Sequence, residues 1–279
     1  PDRAVPAFGD KDGGDIALAY CPERVLPGKI VTELVYNDRV IGGITPDCAE
    51  RAKTLYASFV EGDCLVTNAR VAETVKLVEN SFRDVNIAFA NELSTICDRL
   101  DMDVWELIRL ANRHPRVNIL QPGPGVGGHC IAVDPWFIVA SAPAEARLIA
   151  MARKVNDAKP GWVLDKVRAA IGAHLSENPD RTAREVTVAI YGLAFKPDID
   201  DLRESPALDI ARRIAAEHPG PLQIVEPNID HLPEGVERAN LCPLNETRAD
   251  VHVMLVDHKS FNSSHAPKEW IVDARGVWV

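Results

Sequence analysis

Three features that would assign this chain to a class of protein are missing from its sequence. No apolar run approaches the ~20 residues of a membrane-spanning helix, since the best candidate, residues 186–195, is of strand length and contains Gly192. The six cysteines form no Cys-x-x-Cys pair, and the acidic chain, of formal net charge -10, has no Lys/Arg-rich run. We therefore expect no membrane span, no metal site and no nucleic-acid partner. A small anionic substrate remains compatible with this charge, because a local pocket can be basic.

The first residues of the chain lack the sequence signals of a start methionine, a secretory leader and a dinucleotide-binding loop. The first residue is Pro1 rather than methionine, its neighbours are polar, and no Gly-x-Gly-x-x-Gly motif stands near the N-terminus. The sequence therefore predicts a fragment of a longer protein with no secretory signal and no dinucleotide fingerprint in its first part. We expect a cytoplasmic protein with reduced cysteines.

The 279 residues, 46% of them hydrophobic, predict an α/β protein of more than one domain. Residues 1–68 resemble the C-terminal remnant of an α/β domain, with predicted strands at 15–20 and 39–41 and a predicted helix at 46–59. Helical spacing of apolar residues predicts a helical region over residues 69–178, with helices at 69–99, 104–112 and 144–175, the last kinked at Pro160. Strands alternating with a helix predict a Rossmann-like, mostly parallel sheet over residues 179–279.

The sequence predicts a loop over residues 113–135, and its glycine-rich part at residues 123–128 is the strongest local signal. His129 and Cys130 follow these glycines directly. Clustered glycines let backbone N–H groups approach an anion, and a cysteine at the end of such a loop can act as a nucleophile. Asp134, four residues further on, could orient a water or a base. The alternatives are a flexible turn before a buried thiol, and a capping carboxylate.

Three polar candidate residues precede this loop. Lys76 and Asn80 are four residues apart and share one face of the predicted helix, where together they could stabilise an oxyanion. Glu23 follows a predicted strand and could activate water as a general base. The alternatives are a solvated polar stripe for the first pair and a surface carboxylate paired with Arg24 for Glu23.

Cations also follow the predicted strands of the last domain. Lys196 and Arg203 lie in a strand-to-helix loop that ends at Ser205, a predicted helix cap, and this arrangement is typical of phosphate sites. Arg275 follows the last strand and could reach a ligand at the sheet edge. The alternatives are a loop paired internally with its four acidic residues, and an ordinary surface arginine.

Taken in order, these motifs resemble the UDP-glucose/GDP-mannose dehydrogenase family. The resemblance covers essentially the whole chain and is densest at residues 20–28, 73–93, 105–137, 192–206 and 273–278. It implies an N-terminal NAD-binding Rossmann domain (mostly missing here), a central helical dimerisation region, and a C-terminal Rossmann-like domain that binds UDP. It further implies a cytoplasmic homodimer with NAD as cofactor and a UDP-sugar as substrate.

The family mechanism implies a four-electron oxidation of C6 of the sugar through a thiohemiacetal and a thioester on Cys130. By this resemblance Lys76 and Asn80 stabilise oxyanions, Asp134 assists proton transfer, and Glu23 assists thioester hydrolysis. The resemblance also implies substrate contacts and a position near NAD. The substrate-binding positions are Lys196, Arg275, Arg116 (from a neighbouring subunit) and Gly127, and the position near NAD is Arg203.

One departure from the family pattern concerns the substrate. Members acting on UDP-glucose often carry a second glutamate four residues after the first, and here that position is Pro27. This form resembles the branch that acts on 2-acetamido sugars, which implies UDP-N-acetyl-D-mannosamine as substrate. UDP-N-acetylglucosamine, a non-catalytic UDP-sugar-binding dimerisation module, and a cysteine hydrolase using His129 are the alternatives.

Overall fold

The computed structural model describes residues 16–25, 29–261, 266–268 and 270–278. Pro27, which distinguishes the two substrate branches in the sequence, lies outside these residues. Two compact units divide the chain, Pro1–Asn80 and Ser81–Val279. Helix α3 (Ala69–Arg99) contains residues of both units.

The first unit contains a three-stranded sheet in the order β1–β2–β3, in which β1 is antiparallel to β2 and β2 is parallel to β3. Thr45 caps helix α2, because its side chain accepts a hydrogen bond from the N–H of Cys48 and Pro46 occupies the first turn. Residues 16–20 contain a shorter strand than the sequence predicted, and α1 and β3 were not predicted. The elements are β1 (Ala19–Tyr20), α1 (Ile30–Tyr36), β2 (Arg39–Gly43), α2 (Pro46–Tyr56) and β3 (Cys64–Asn68).

Four helices make up the middle of the chain, and a loop of residues 112–133 separates the second from the third. The carboxylate of Asp103 accepts the N–H groups of Trp105 and Glu106, which fixes the start of the second helix. None of the helices in the described part of the chain is long and apolar enough to cross a membrane. The helices are α3 (Ala69–Arg99), α4 (Val104–Ala111), α5 (Asp134–Ser141) and α6 (Arg147–Glu177).

The last part of the chain is the predicted parallel sheet. Its five strands are all parallel and lie in the order β6–β5–β4–β7–β8. Every residue of β4 and β7 is buried, as expected for strands covered on both faces. The elements are β4 (Val188–Tyr191), α7 (Pro206–Glu217), β5 (Leu222–Val225), β6 (Asn240–Leu241), β7 (Val251–Met254) and β8 (Trp270–Asp273).

Two local predictions are corrected by the helices. The loop predicted to run to residue 135 ends earlier, because α5 begins at Asp134, the candidate residue itself. Helix α6 extends from Arg147 to Glu177 and starts three residues later than predicted. Pro160 lies inside this helix, and the predicted kink there stays a prediction. Val163, Leu164 and Val167 of this helix join the same buried core cluster as the sheet strands, which fixes α6 against the parallel sheet.

Candidate functional site

The glycine-rich loop folds tightly against the loop that follows β4. Gly125 and Gly128 have positive φ angles of 145° and 79°, which L side chains rarely adopt. A Cβ atom on Gly127 would lie 2.5 Å from the carbonyl oxygen of Glu204, so only glycine allows this approach. These glycines provide the close backbone packing that their clustering in the sequence predicted.

A cavity of about 230 Å³ lies between this glycine-rich loop and the carboxyl edge of the parallel sheet. Lys196, Arg275 and Gly127, three residues predicted to bind substrate, all line it, and Asp257 lies beside them. Ligands of open α/β sheets bind at the carboxyl ends of the strands, so this cavity is a suitable place for a small anion-bearing ligand. The structure therefore brings together residues that are 148 positions apart in the chain, from Gly127 to Arg275.

Arg275 is held in place by two carboxylates and one carbonyl. Its Nε and Nη2 atoms lie 2.8 and 2.7 Å from Oδ1 of Asp257, and its Nη1 donates to the carbonyl oxygen of Pro122 at 3.4 Å. Asp273 accepts the backbone N–H of Arg275 at 2.8 Å. Asp257 was missed in the sequence, although its position directly after the apolar run of β7 is a signal that could have identified it.

The start of the glycine-rich loop is tied to a buried polar network between α3 and α6. Asn91 accepts the N–H of Gly123 at 2.9 Å and donates to Asn156 at 2.9 Å. Asn156 in turn donates to Asp84, whose carboxylate also accepts Nη1 of Arg153 at 2.6 Å. All four of these side chains are buried. The helices therefore fix one end of the loop by hydrogen bonds, and the sequence offered no periodic signal for this network.

Cys130 lies in the turn that leads from the glycine-rich loop into α5. Its thiol is free and partly exposed, and its carbonyl oxygen accepts the N–H of Asp134 at 2.8 Å. The neighbouring Ile131 lines the cavity with Lys196 and Arg275. Among the described contacts, no hydrogen bond joins the ring of His129 to the sulfur of Cys130. A cysteine–histidine pair of the hydrolase type therefore has no support in this geometry.

Two other candidates lie on the surface of this unit. Arg116 is exposed in the loop after α4, as expected of a side chain that reaches another subunit. Arg203 is also exposed, and its guanidinium binds both carboxylate oxygens of Asp201 at 2.6–3.1 Å. These hydrogen bonds hold the pKa of Asp201 at about 2, well below its ordinary value. The predicted roles of both arginines stay predictions.

Glu23, Lys76 and Asn80 belong to the first unit, where two of them are in contact. Nζ of Lys76 donates to the backbone carbonyl oxygen of Glu23 at 2.7 Å. The Glu23 carboxylate accepts the N–H groups of Arg24 and Val25 and lies 3.6 Å from Nη1 of Arg39. Asn80 is buried one helical turn after Lys76. Because Cys130 belongs to the other unit, convergence of these groups on its sulfur stays a prediction.

The fold and the cavity define a class of protein. The first unit has the parallel strands β2 and β3 with helix α2 between them, which is typical of a dinucleotide-binding sheet. The five-stranded parallel sheet, with the glycine-rich loop and cations at its carboxyl edge, is typical of a nucleotide-binding α/β protein. Comparison with known families agrees with this class over three segments that together make up most of the chain. Residues 5–60 match the NAD-binding domain, residues 70–158 the central domain and residues 189–279 the UDP-binding domain of the UDP-glucose/GDP-mannose dehydrogenase family. The chain belongs to this family, which confirms the predicted family and the predicted cofactor, NAD.

Individual relatives agree on the class of enzyme. The chain is 60% identical to UDP-N-acetyl-D-mannosamine dehydrogenase of Yersinia pestis, covering 100% of this chain and 67% of that protein. It is 57% identical to NDP-N-acetyl-D-galactosaminuronic acid dehydrogenase of Ralstonia solanacearum, covering 95% and 62%. The solved UDP-N-acetyl-mannosamine dehydrogenase of S. aureus is 43% identical with a TM-score of 0.79, covering 95% and 62%. The chain thus spans about two thirds of the length of these relatives.

Proposed function

We propose that this chain is the catalytic and substrate-binding part of an NAD-dependent dehydrogenase that oxidises C6 of UDP-N-acetyl-D-mannosamine to the carboxylate. The observation that carries the proposal is the cavity in which Lys196, Arg275 and the glycine-rich loop meet. The high identity to dehydrogenases of this name supports the choice of substrate.

The cavity suits a nucleoside diphosphate because it combines two cations with backbone donors. Lys196 is exposed at its rim, and Arg275 is oriented by Asp257, which keeps the guanidinium in one position. The start of α7, capped by Ser205, lies at the same edge of the sheet, and Pro206 lines the cavity. A helix start and positive side chains together stabilise a pyrophosphate.

The described residues of the first unit fit one side of a dinucleotide-binding sheet, since β2 and β3 are parallel and α2 follows β2 with a capped start. Residues 1–80 contain no Gly-x-Gly-x-x-Gly loop, so this chain supplies only part of such a site. NAD, when bound, supplies the hydride acceptor for both oxidations.

In this proposal Cys130 is the residue that forms the covalent bond with the substrate. Its thiolate adds to the C6 aldehyde, loss of hydride from the resulting thiohemiacetal gives a thioester, and water releases the acid and the thiol. A covalent bond of this kind keeps the aldehyde from leaving between the two oxidations. Lys76 and Asn80 stabilise the oxyanions in this proposal, Asp134 moves a proton, and Glu23 orients the hydrolytic water.

The full-length polypeptide is expected to form two NADH per UDP-N-acetyl-D-mannosamine, measured by absorbance with the acid quantified by mass spectrometry. UDP-N-acetylglucosamine and UDP-N-acetylgalactosamine are assayed in parallel. The first sugar differs from N-acetylmannosamine at one stereocentre and the second at two, and the relatives include an enzyme named for the galacto sugar. A higher kcat/KM for either of these two sugars contradicts the proposed substrate. No NADH with any of the three contradicts the proposed activity.

A second copy of this chain is the partner that we propose. Phe82, Phe89 and Ile96 lie seven residues apart on α3, so they share one face, and each is at least 42% exposed. Trp136 and Phe137 of α5 are also exposed. Large exposed apolar side chains repeated on one helix face are typical of subunit interfaces, and a two-fold dimer would bury them against their own copies.

Sedimentation velocity at micromolar concentration is expected to show a dimer of the full-length polypeptide. Phe89→Glu places a charge on the exposed apolar face and should shift the protein toward the monomer. The matched control is Arg213→Glu on the surface of α7, where a change of charge should leave the dimer intact. A wild-type monomer, or a Phe89→Glu dimer as tight as the wild type, contradicts this assembly.

A further inference from the structure

Two buried titratable side chains meet beneath the loop that follows β4. Glu226 comes directly after β5, and His258 lies four residues after β7. Their exposed fractions are 4% and 1%, and Nε2 of His258 lies 3.0 Å from Oε2 of Glu226. Because β5 and β7 flank β4 on opposite sides, this pair spans the centre of the sheet at its carboxyl edge.

The pair holds three backbone N–H groups of the β4–α7 loop. Oε2 of Glu226 accepts the N–H of Leu193 at 2.7 Å and that of Ala194 at 3.3 Å. Nδ1 of His258 accepts the N–H of Asp198 at 2.9 Å. The anchored residues therefore lie on both sides of Lys196, the exposed cation of the cavity.

The same contacts define which ring nitrogen of His258 carries the proton. Nδ1 must be the acceptor, because its partner is a backbone N–H, and Nε2–H therefore donates to Glu226. Burial alone would raise the pKa of Glu226, but the bonds from His258 and from the Leu193 N–H hold it below its ordinary value. Glu226 is thus an anion whose oxygens are all turned toward the fold, since Oε1 accepts from Asn228.

The buried position of Glu226 differs from that of the corresponding acidic residue in a dinucleotide-binding fold. In such folds the crevice beside the first strand takes the ligand, and an acidic residue after the second strand binds a ribose hydroxyl. Here the acidic residue after the second strand, Glu226, is buried beneath the loop. Gly192, at the end of β4, packs so closely that a Cβ atom would lie 2.3 Å from Cβ of Val256. Residues 194–197 line the ligand cavity, whereas Glu226 does not.

We propose that Glu226 and His258 are positioning residues for the nucleotide-sugar substrate, which act by fixing the backbone on both sides of Lys196. This inference rests on the proposed function, because it assigns Lys196 to the diphosphate. Neither residue lines the cavity, so each acts on affinity through the loop and contacts no substrate.

Calorimetric titration of the full-length polypeptide with UDP tests the inference. Glu226→Gln keeps the shape of the side chain but places amide hydrogens against donor groups, so we expect the Kd for UDP to rise roughly tenfold. His258→Phe keeps the ring packing against Phe261 and removes the acceptor for Asp198. It should raise the Kd in the same direction and provides the test if the first variant does not fold.

Two readouts separate positioning from loss of stability. Amide hydrogen exchange of the peptide that contains residues 193–198 should quicken in both variants, while KM for the sugar rises more than kcat falls. His218→Gln is the matched control, because this buried histidine bonds the carbonyl of Val186 at 2.8 Å and lies outside the β4–α7 loop. It should lower thermal stability and leave the UDP affinity unchanged.

The outcomes distinguish this inference from the function on which it rests. Failure of the wild type to bind UDP overturns the proposed function. Wild-type binding with an unchanged Kd in folded Glu226→Gln or His258→Phe overturns only the positioning role. An equal loss of affinity in the His218→Gln control also overturns it, because the effect would then be one of general stability.

Discussion

Replacing Cys130 by serine is expected to lower acid formation by the full-length enzyme at least ~10³-fold, the scale seen when an enzyme loses its nucleophile. A serine hydroxyl has too high a pKa to attack the C6 aldehyde unaided, whereas a thiol reacts near neutral pH. No thioester can then form, so the second oxidation stops. The measurement is acid per unit time by mass spectrometry, with NADH followed in parallel.

The matched control for this change is Cys242→Ser. Cys242 is also free and partly exposed, but it packs beside the sheet core and lies 3.6 Å from Oγ1 of Thr247. This variant should form acid at nearly the wild-type rate. Acid formation by Cys130→Ser at the wild-type rate would contradict the covalent mechanism. Binding of UDP by Cys130→Ser would show that its substrate site is intact.

Lys159→Met is expected to remove a pH dependence of stability. Lys159 is 4% exposed, donates to Oγ of Ser94 at 2.5 Å and lies 3.4 Å from the ring centroid of Trp162. Burial lowers the pKa of its amine from 10.5 to about 7. Between these values the unfolded chain binds the proton that the folded chain has released, so stability rises with pH by roughly 1.4 kcal/mol per unit.

Methionine fills a similar volume without a charge, so the variant should lose this slope and be more stable than the wild type at pH 7, by on the order of 3 kcal/mol. Urea unfolding at pH 7, 8 and 9 measures both quantities. Lys154→Met is the control, because Lys154 lies on the same helix but is exposed, so this variant should keep the wild-type slope. Equal slopes in Lys159→Met and the wild type contradict the buried neutral amine.

Part of the fold could be predicted from the sequence, and two groups of elements show why the rest could not. The β4–α7 segment was predicted because a run of buried apolar residues is followed by Ser205 and Pro206, which start a helix by local hydrogen bonding. In contrast, α1 and β3 were missed, since β3 pairs with β2 through long-range backbone hydrogen bonds and shows no clear alternation of burial. Short elements of this kind depend on their neighbours more than on their own composition.

The sequence by itself determined the family, the glycine-rich loop before Cys130, and the cations that follow strands, because these depend on residue type and spacing along the chain. Only the tertiary structure showed that Lys196 and Arg275 share a cavity with Gly127 and that Asp257 orients the arginine. It also showed that Glu226 and His258 lie beneath the β4–α7 loop. Hydrogen bonds between distant segments form only after the apolar core has brought the strand ends together. The spacing of residues along the chain therefore does not predict these bonds.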